Sequence, residues 1–154
     1  MYGQATPLDF VYGGMSAGSG LYQKARSKAR MNSLKSLLTR SNNYLMSLED
    51  VLREKNVRGQ RYGGRETVQI DRIVGSEGRT GDFDRRFYPR SDRSRGRFLS
   101  VLSARLHGVA LPPVSLIRVG DQYVVVDGHH RISVARALDE AFIEAKVKVL
   151  EIDA

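Results

Sequence analysis

Between Leu21 and Arg40, apolar residues return every three or four positions, at Leu21, Ala25, Ala29, Leu34, Leu37 and Leu38. Lys24, Arg26, Lys28, Arg30 and Lys35 fill the gaps. This spacing predicts a basic amphipathic helix that Asn42-Asn43 interrupts. Ser47-Leu48-Glu49-Asp50-Val51-Leu52 predicts a second, shorter helix, with Ser47 as cap and two acids in the positive first turn. The period then changes. Thr67-Val68-Gln69-Ile70 reads as a strand, and Asp71 to Val74 runs on into the loop Gly75-Ser76-Glu77-Gly78-Arg79. Phe98, Val101, Leu102 and Leu106 restore helical spacing over about residues 94–107. Gly108 is placed to end that helix, and Pro112-Pro113 forbids its continuation. Val114 to Val119, a Gly120-Asp121 turn and Gln122 to Val126 predict a hairpin. A helix from about His130 to Leu138 and an alternating strand, Ile143 to Val149, complete the pattern.

Residues 1–20 carry five glycines and show no period, which predicts a flexible N-terminus. Residues 58–66, Arg-Gly-Gln-Arg-Tyr-Gly-Gly-Arg-Glu, read as a linker. The expected organisation is therefore a flexible segment (1–20), a basic helical extension (21–57), a linker (58–66) and a mixed α/β (α+β) domain (67–154).

Charge adds a direction. The chain carries a formal net charge of +8. Residues 21–66 hold eleven Lys/Arg against four Asp/Glu, whereas residues 112–154 hold five against seven. A basic front attracts polyanions. Arg85, Arg86, Arg90 and Arg93, interleaved with Phe83, Phe87 and Tyr88, are candidate nucleic-acid contacts, and so are Lys24 and Lys28 of the first helix. The competing reading is that these aromatics anchor a loop, and that the two basic helices pack on the domain or on a second subunit as a homodimer. The chain has no cysteine, which excludes disulfides, thiolate metal sites and cysteine nucleophiles. No apolar run approaches membrane-spanning length and no signal peptide is visible, so a cytoplasmic protein without a membrane partner is expected.

The densest chemistry is Asp127-Gly128-His129-His130-Arg131, between a Val-rich strand and a helix start. Free amides and the positive dipole end make a helix N-terminus an anion site, and glycine lets a phosphate approach the backbone. Gly128, His129 and His130 would donate N–H groups, and Arg131 would neutralise charge. Independently, the loop around Ser76 and Gly78 could present N–H groups to an anion, with Arg79 pointing at it. The bland alternative has Asp127 capping the helix, both histidines facing solvent and Arg131 pairing with an acid. Neighbouring side chains diverge by about 100° per residue at a helix start, so Asp127, His129 and His130 are not expected to converge on a metal.

The order of strand, Gly/Arg loop, helix ending in glycine, Pro-led strand, hairpin, DGHHR and helix resembles the ParB/sulfiredoxin superfamily over roughly residues 67–150. Gly128-His129-His130-Arg131 is similar to its phosphate-contacting turn, and Gly108 with Pro113 to its helix-ending segment. Gly78-Arg79 with Asp82-Phe83 resembles the arginine loop of the ParB branch. Together with DGHHR, the string from Ile73 to Phe87 resembles a bacterial group of ParB-like domains without an assigned activity. The resemblance implies a nucleoside di- or triphosphate (CTP or ATP/ADP), with Mg²⁺, acting with DNA or a protein partner. It equally admits a phosphotransferase or nucleotide hydrolase, with Asp127 or Glu77 as base or as holder of Mg²⁺ through water. A nucleotide-independent DNA-binding module, of the kind described as ParB-like nucleases, is a third implied class. Sulfiredoxins use a cysteine in this turn, where this chain has histidine, so sulfinic-acid reduction is not implied. Partition proteins carry a helix-turn-helix domain after the nucleotide domain, and here about five residues follow the last strand, so such DNA reading is not expected.

Overall fold

Val124 and Val125 are fully buried although they point to opposite faces of a strand, so that strand must be covered on both sides. The structure, a computed structural model, describes the backbone of residues 7–153 and side chains from residue 18 onward. It contains α1 (Pro7–Thr39), β1 (Met46–Ser47), α2 (Leu48–Leu52), β2 (Val57–Gln69), β3 (Ile73–Ser76), α3 (Arg95–Leu106), β4 (Val114–Val119), β5 (Gln122–Asp127), α4 (His129–Ala137) and β6 (Phe142–Ile152). The strands form one mixed six-stranded sheet in the order β1-β3-β5-β4-β6-β2. β5 runs parallel to β3 and antiparallel to β4; β4 runs parallel to β6. The fold is thus a mixed α/β domain, as expected.

One face of the sheet offers Leu116, Val125 and Val147 to Ile132 and Ala135 of α4, with Phe83 and Phe87 beside them. The other offers Ile117, Val119 and Val124 to Val51 of α2. Val134 and Ala137 of α4 meet Tyr22, Ala25 and Ala29 of α1 and Phe98 and Leu102 of α3, which adds an outer helical layer.

Four expectations change. Residues 58–66 are not a linker: they form most of β2, which pairs antiparallel with β6 from Val57↔Ile152 to Gln69↔Phe142. A side chain at Gly63 would come within 2.9 Å of Val149, and Gly64 sits at φ +84° where the register slips. These glycines make a β-bulge rather than a flexible joint.

The first helix starts at Pro7, not Leu21, with proline at the position where its missing N–H costs nothing. Gly18 lets α1 approach α3 closely, since a Cβ there would lie 3.4 Å from Leu102. The flexibility expected of residues 1–6 lies outside the described residues.

α1 also buries a different face. Gly18, Tyr22, Ala25 and Ala29 pack, while Leu34, Leu37 and Leu38 remain exposed. α1 and α2 cover opposite faces of the sheet and form no basic hairpin, although Ser47 caps α2 as expected, accepting from Asp50 N at 3.0 Å.

Ile73 to Ser76 is strand rather than loop. A Cβ on Gly75 would stand 2.4 Å from Met46 O, so glycine is what lets β1 lie alongside.

The α1 seam gives a first prediction. Tyr22 is fully buried, its hydroxyl donates to Asp92 at 2.6 Å, and burial holds its pKa up at about 12. Tyr22→Phe keeps the ring and removes the bond to a charged acceptor, so urea unfolding should show a loss of about 1–2 kcal/mol. An unchanged midpoint would mean that the Asp92 contact contributes nothing.

Candidate functional site

The neighbouring parallel strands β3 and β5 end on the same side of the sheet, where the loop after β3 and the turn after β5 face one cleft. Ligands of open α/β sheets bind beyond such carboxyl ends. The cleft has a volume of about 550 Å³. Glu77, Gly78 and Arg79 come from the β3 loop, Asp127 to Arg131 from the β5–α4 turn, and Arg97, Ser100 and Val101 from α3. A second lobe of about 360 Å³ shares Arg79, Arg97 and His130 and adds Asp82, Arg93 and Ser94.

Gly128 sets the turn. Its φ is +106°, and a Cβ there would meet Val114 Cγ1 at 2.5 Å. α4 has no side-chain cap, so Asp127 does not cap it. The first helical bond is Ile132 N to Gly128 O at 3.0 Å. Among the described residues, the amides of His129, His130 and Arg131 have no acceptor, which leaves three N–H donors and the dipole's positive end at the cleft.

Arg131 lines the cleft, and its guanidinium is at the same time engaged by the protein. Its guanidinium donates to Pro112 O, to Pro113 O at 3.0 Å and to Asp127 Oδ2 at 2.9 Å. It clamps the turn to the segment leading into β4, which takes three of its five N–H donors. Asp127 is committed to the same pair, although its side chain is largely exposed.

Ser76 is also corrected. It is fully buried and does not line the cleft. Its Oγ lies 2.7 Å from His129 Nε2 and accepts from Arg79 N at 2.9 Å and Gly78 N at 3.3 Å. Two lone pairs taken by two amides leave the hydroxyl proton for His129. Nε2 is then the acceptor, and the proton of the neutral ring sits on Nδ1. Ser76 thus ties the Arg79 loop to the α4 turn.

The histidines are not solvent-facing. His129 is buried, its ring stacks on Phe83 at 6.0 Å, and His130 meets the same ring edge-on at 5.5 Å. Burial first, then Arg79 and His130, depress the His129 pKa to about 4; burial, Arg97 and Arg79 also lower that of His130. Both are neutral donors or acceptors at pH 7.

This has a pH consequence. The folded pKa of His129 lies below its ordinary 6.5, so between those values the unfolded chain binds the extra proton and the folded chain does not. Stability present above pH 6.5 should therefore fall as pH drops toward 4, by roughly 2–3 kcal/mol from this group. Urea midpoints of wild type and His129→Gln over that range check it: the wild type should lose its advantage, and parallel curves would refute the assignment.

Arg79 and Arg97 are exposed, line both lobes and have no salt-bridge partner among the described residues. Glu77 lines the cleft and is likewise unpaired among them. No group of three or more ligating side chains gathers among the described residues.

The expected nucleic-acid contacts divide. Arg85 donates inward to Ile73 O at 3.0 Å, Arg90 covers the Tyr44 ring at 4.8 Å, and Lys28 pairs with Asp139 at 3.6 Å. Lys24, Arg86 and Arg93 remain exposed. Phe83, Phe87 and Tyr88 are buried and anchor the loop. Asp84, buried beneath it, accepts from Asn32 of α1 at 3.2 Å and from the amides of Arg86 and Tyr88.

Sequence reasoning missed the α3 wall. Arg97, Ser100 and Val101 fall at i, i+3 and i+4 on one face of α3, and that spacing was the available signal.

No family model matches the chain, and no curated protein matches it. Among solved structures it is similar to the crystal structure of sulfiredoxin from Arabidopsis thaliana. The TM-score is 0.41 and the identity 17%, over 54% of this chain and 82% of that one. At that level no activity carries over.

Proposed function

We propose that the cleft binds a nucleoside di- or triphosphate, its phosphates lying over the first turn of α4 between Arg79 and Arg97. The observation that carries this reading is the meeting of two unpaired guanidinium groups and three open amides on one cleft. Its 550 Å³ falls within the range of about 300–1,000 Å³ that small-ligand sites occupy. Val101 and Val126 supply apolar wall for a nucleoside, and the resemblance of the DGHHR turn to a phosphate-contacting motif points the same way.

Glu77 is the carboxylate left to hold a phosphate-bound Mg²⁺ through water or to take a proton, since Asp127 is held by Arg131. A hydrolase or phosphotransferase would therefore depend on Glu77 more than on Asp127. Arg93 opens onto the second lobe and, with Arg86 and Lys24, is the cation through which a DNA backbone would join the same field.

Calorimetric titration with CTP, ATP, GTP and ADP, each with and without Mg²⁺, tests the reading. At least one should bind with a Kd of about 1–100 µM. Absence of heat with all of them overturns it.

A further inference from the structure

α1 has two faces, and the domain uses one. Gly18, Tyr22, Ala25 and Ala29 seat it on α3 and α4. Met31, Leu34, Leu37 and Leu38 lie roughly 160° around the helix from that stripe, at about 100° per residue, and so project away from the domain. They are 64%, 55%, 75% and 79% exposed. A single exposed leucine is ordinary, but four large apolar side chains within two turns form a ridge that calls for a partner.

The charge around this ridge has one sign. Residues 10–48 contain six Lys/Arg and no Asp/Glu. Arg26 and Lys28 are drawn to Asp92 and Asp139. Lys24, Arg30, Lys35 and Arg40 form no salt bridge among the described residues and are exposed. In angle around the helix, Arg30 falls within the apolar arc and Lys35 just beyond its edge.

We propose that this ridge docks on an anionic lipid surface. The leucines would enter the headgroup boundary, and Lys35, Arg30 and their neighbours would sit among the lipid phosphates. A second copy of the chain fits less well, because apposing the two ridges sets cations against cations. A protein partner fits less well too. Stable protein interfaces bury about 800 Å² per side, which a two-turn ridge alone does not offer. A lipid surface needs no matching groove, and its attraction combines apolar area with positive charge. No helix among the described residues is long and apolar enough to cross a membrane, so attachment would be peripheral and reversible.

The test is flotation of the full chain with phosphatidylserine-containing vesicles and with pure phosphatidylcholine vesicles. Binding is expected to the first and not the second, to weaken with salt, and to fall about tenfold or more in the Leu37→Ser/Leu38→Ser double variant. Both leucines are exposed, so the variant should unfold at the wild-type urea midpoint. No binding to anionic vesicles overturns the proposal. Equal binding by wild type and variant also overturns it, by assigning the attraction to overall basic charge. A dimer seen by ultracentrifugation and lost in the variant would give the ridge to a second copy instead.

Discussion

Gly128→Ala is expected to destabilise the fold by about 2–6 kcal/mol, through two costs that add. A non-glycine residue held at a sparsely populated backbone conformation costs about 1–3 kcal/mol, and Gly128 sits at φ +106°. The new Cβ would also lie 2.5 Å from Val114 Cγ1 and 2.8 Å from Val114 Cβ, and overpacking of this kind costs about 1–3 kcal/mol, occasionally more. Val114 cannot yield cheaply, being fully buried at the start of β4, in the main core with Leu116 and Ile132. Gly78→Ala is the control. It lies in the loop on the other side of the cleft, outside the left-handed region and with nothing within 4 Å of an added Cβ, so its midpoint should barely move. Urea unfolding of both variants decides the matter, and a Gly128→Ala protein within about 1 kcal/mol of wild type would show that the turn relaxes. The conformation has a use: it sets the start of α4 so that its first amides, without internal acceptors, lie at the cleft.

How much of this could be read in advance depended on distance along the chain. The β4–β5 hairpin, the ends of α3 and the cap of α2 were legible because turn residues and side-chain period are local signals. β2 was not. Its Gly/Arg composition mimics a linker, and only its pairing with β6, some eighty residues on, reveals that Gly63-Gly64 is a bulge packed against Val149. On α1, leucine was expected inside, but close helix–helix approach favoured the smaller stripe of Gly18, Ala25 and Ala29.

The candidate site shows the same division. That Gly128, His129 and His130 would form the turn between the Val-rich strand and the next helix followed from the string itself; that the Arg79 loop lies across the cleft from them did not. The tasks of individual side chains did not. That Arg131 meets the carbonyls of Pro112 and Pro113 depends on where the segment leading into β4 lies, with Pro113 eighteen residues upstream. Whether Ser76 faces a phosphate depends on a histidine fifty-three residues away.

That exchange of roles among the arginines yields the second large effect. Arg79→Ala and Arg97→Ala should each weaken nucleotide binding by about 10- to 100-fold, since a hydrogen bond to a charged group contributes about 1.5–3 kcal/mol. The double variant should approach about a thousandfold if the two losses add. Neither substitution should move the urea midpoint, because both side chains are exposed and have no salt bridge among the described residues. Arg131→Ala should behave in the opposite way. It removes donors from Pro112 O, Pro113 O and Asp127; the first and last are exposed and can turn to water, so the loss should be about 0.5–1.5 kcal/mol of stability. Its affinity should fall only as far as the turn loosens. Calorimetry and urea unfolding on the same three proteins separate these outcomes. If Arg131→Ala abolished binding at unchanged stability while Arg79→Ala and Arg97→Ala bound normally, the phosphate would belong on Arg131. The Asp127 pair would then have to open when the ligand arrives.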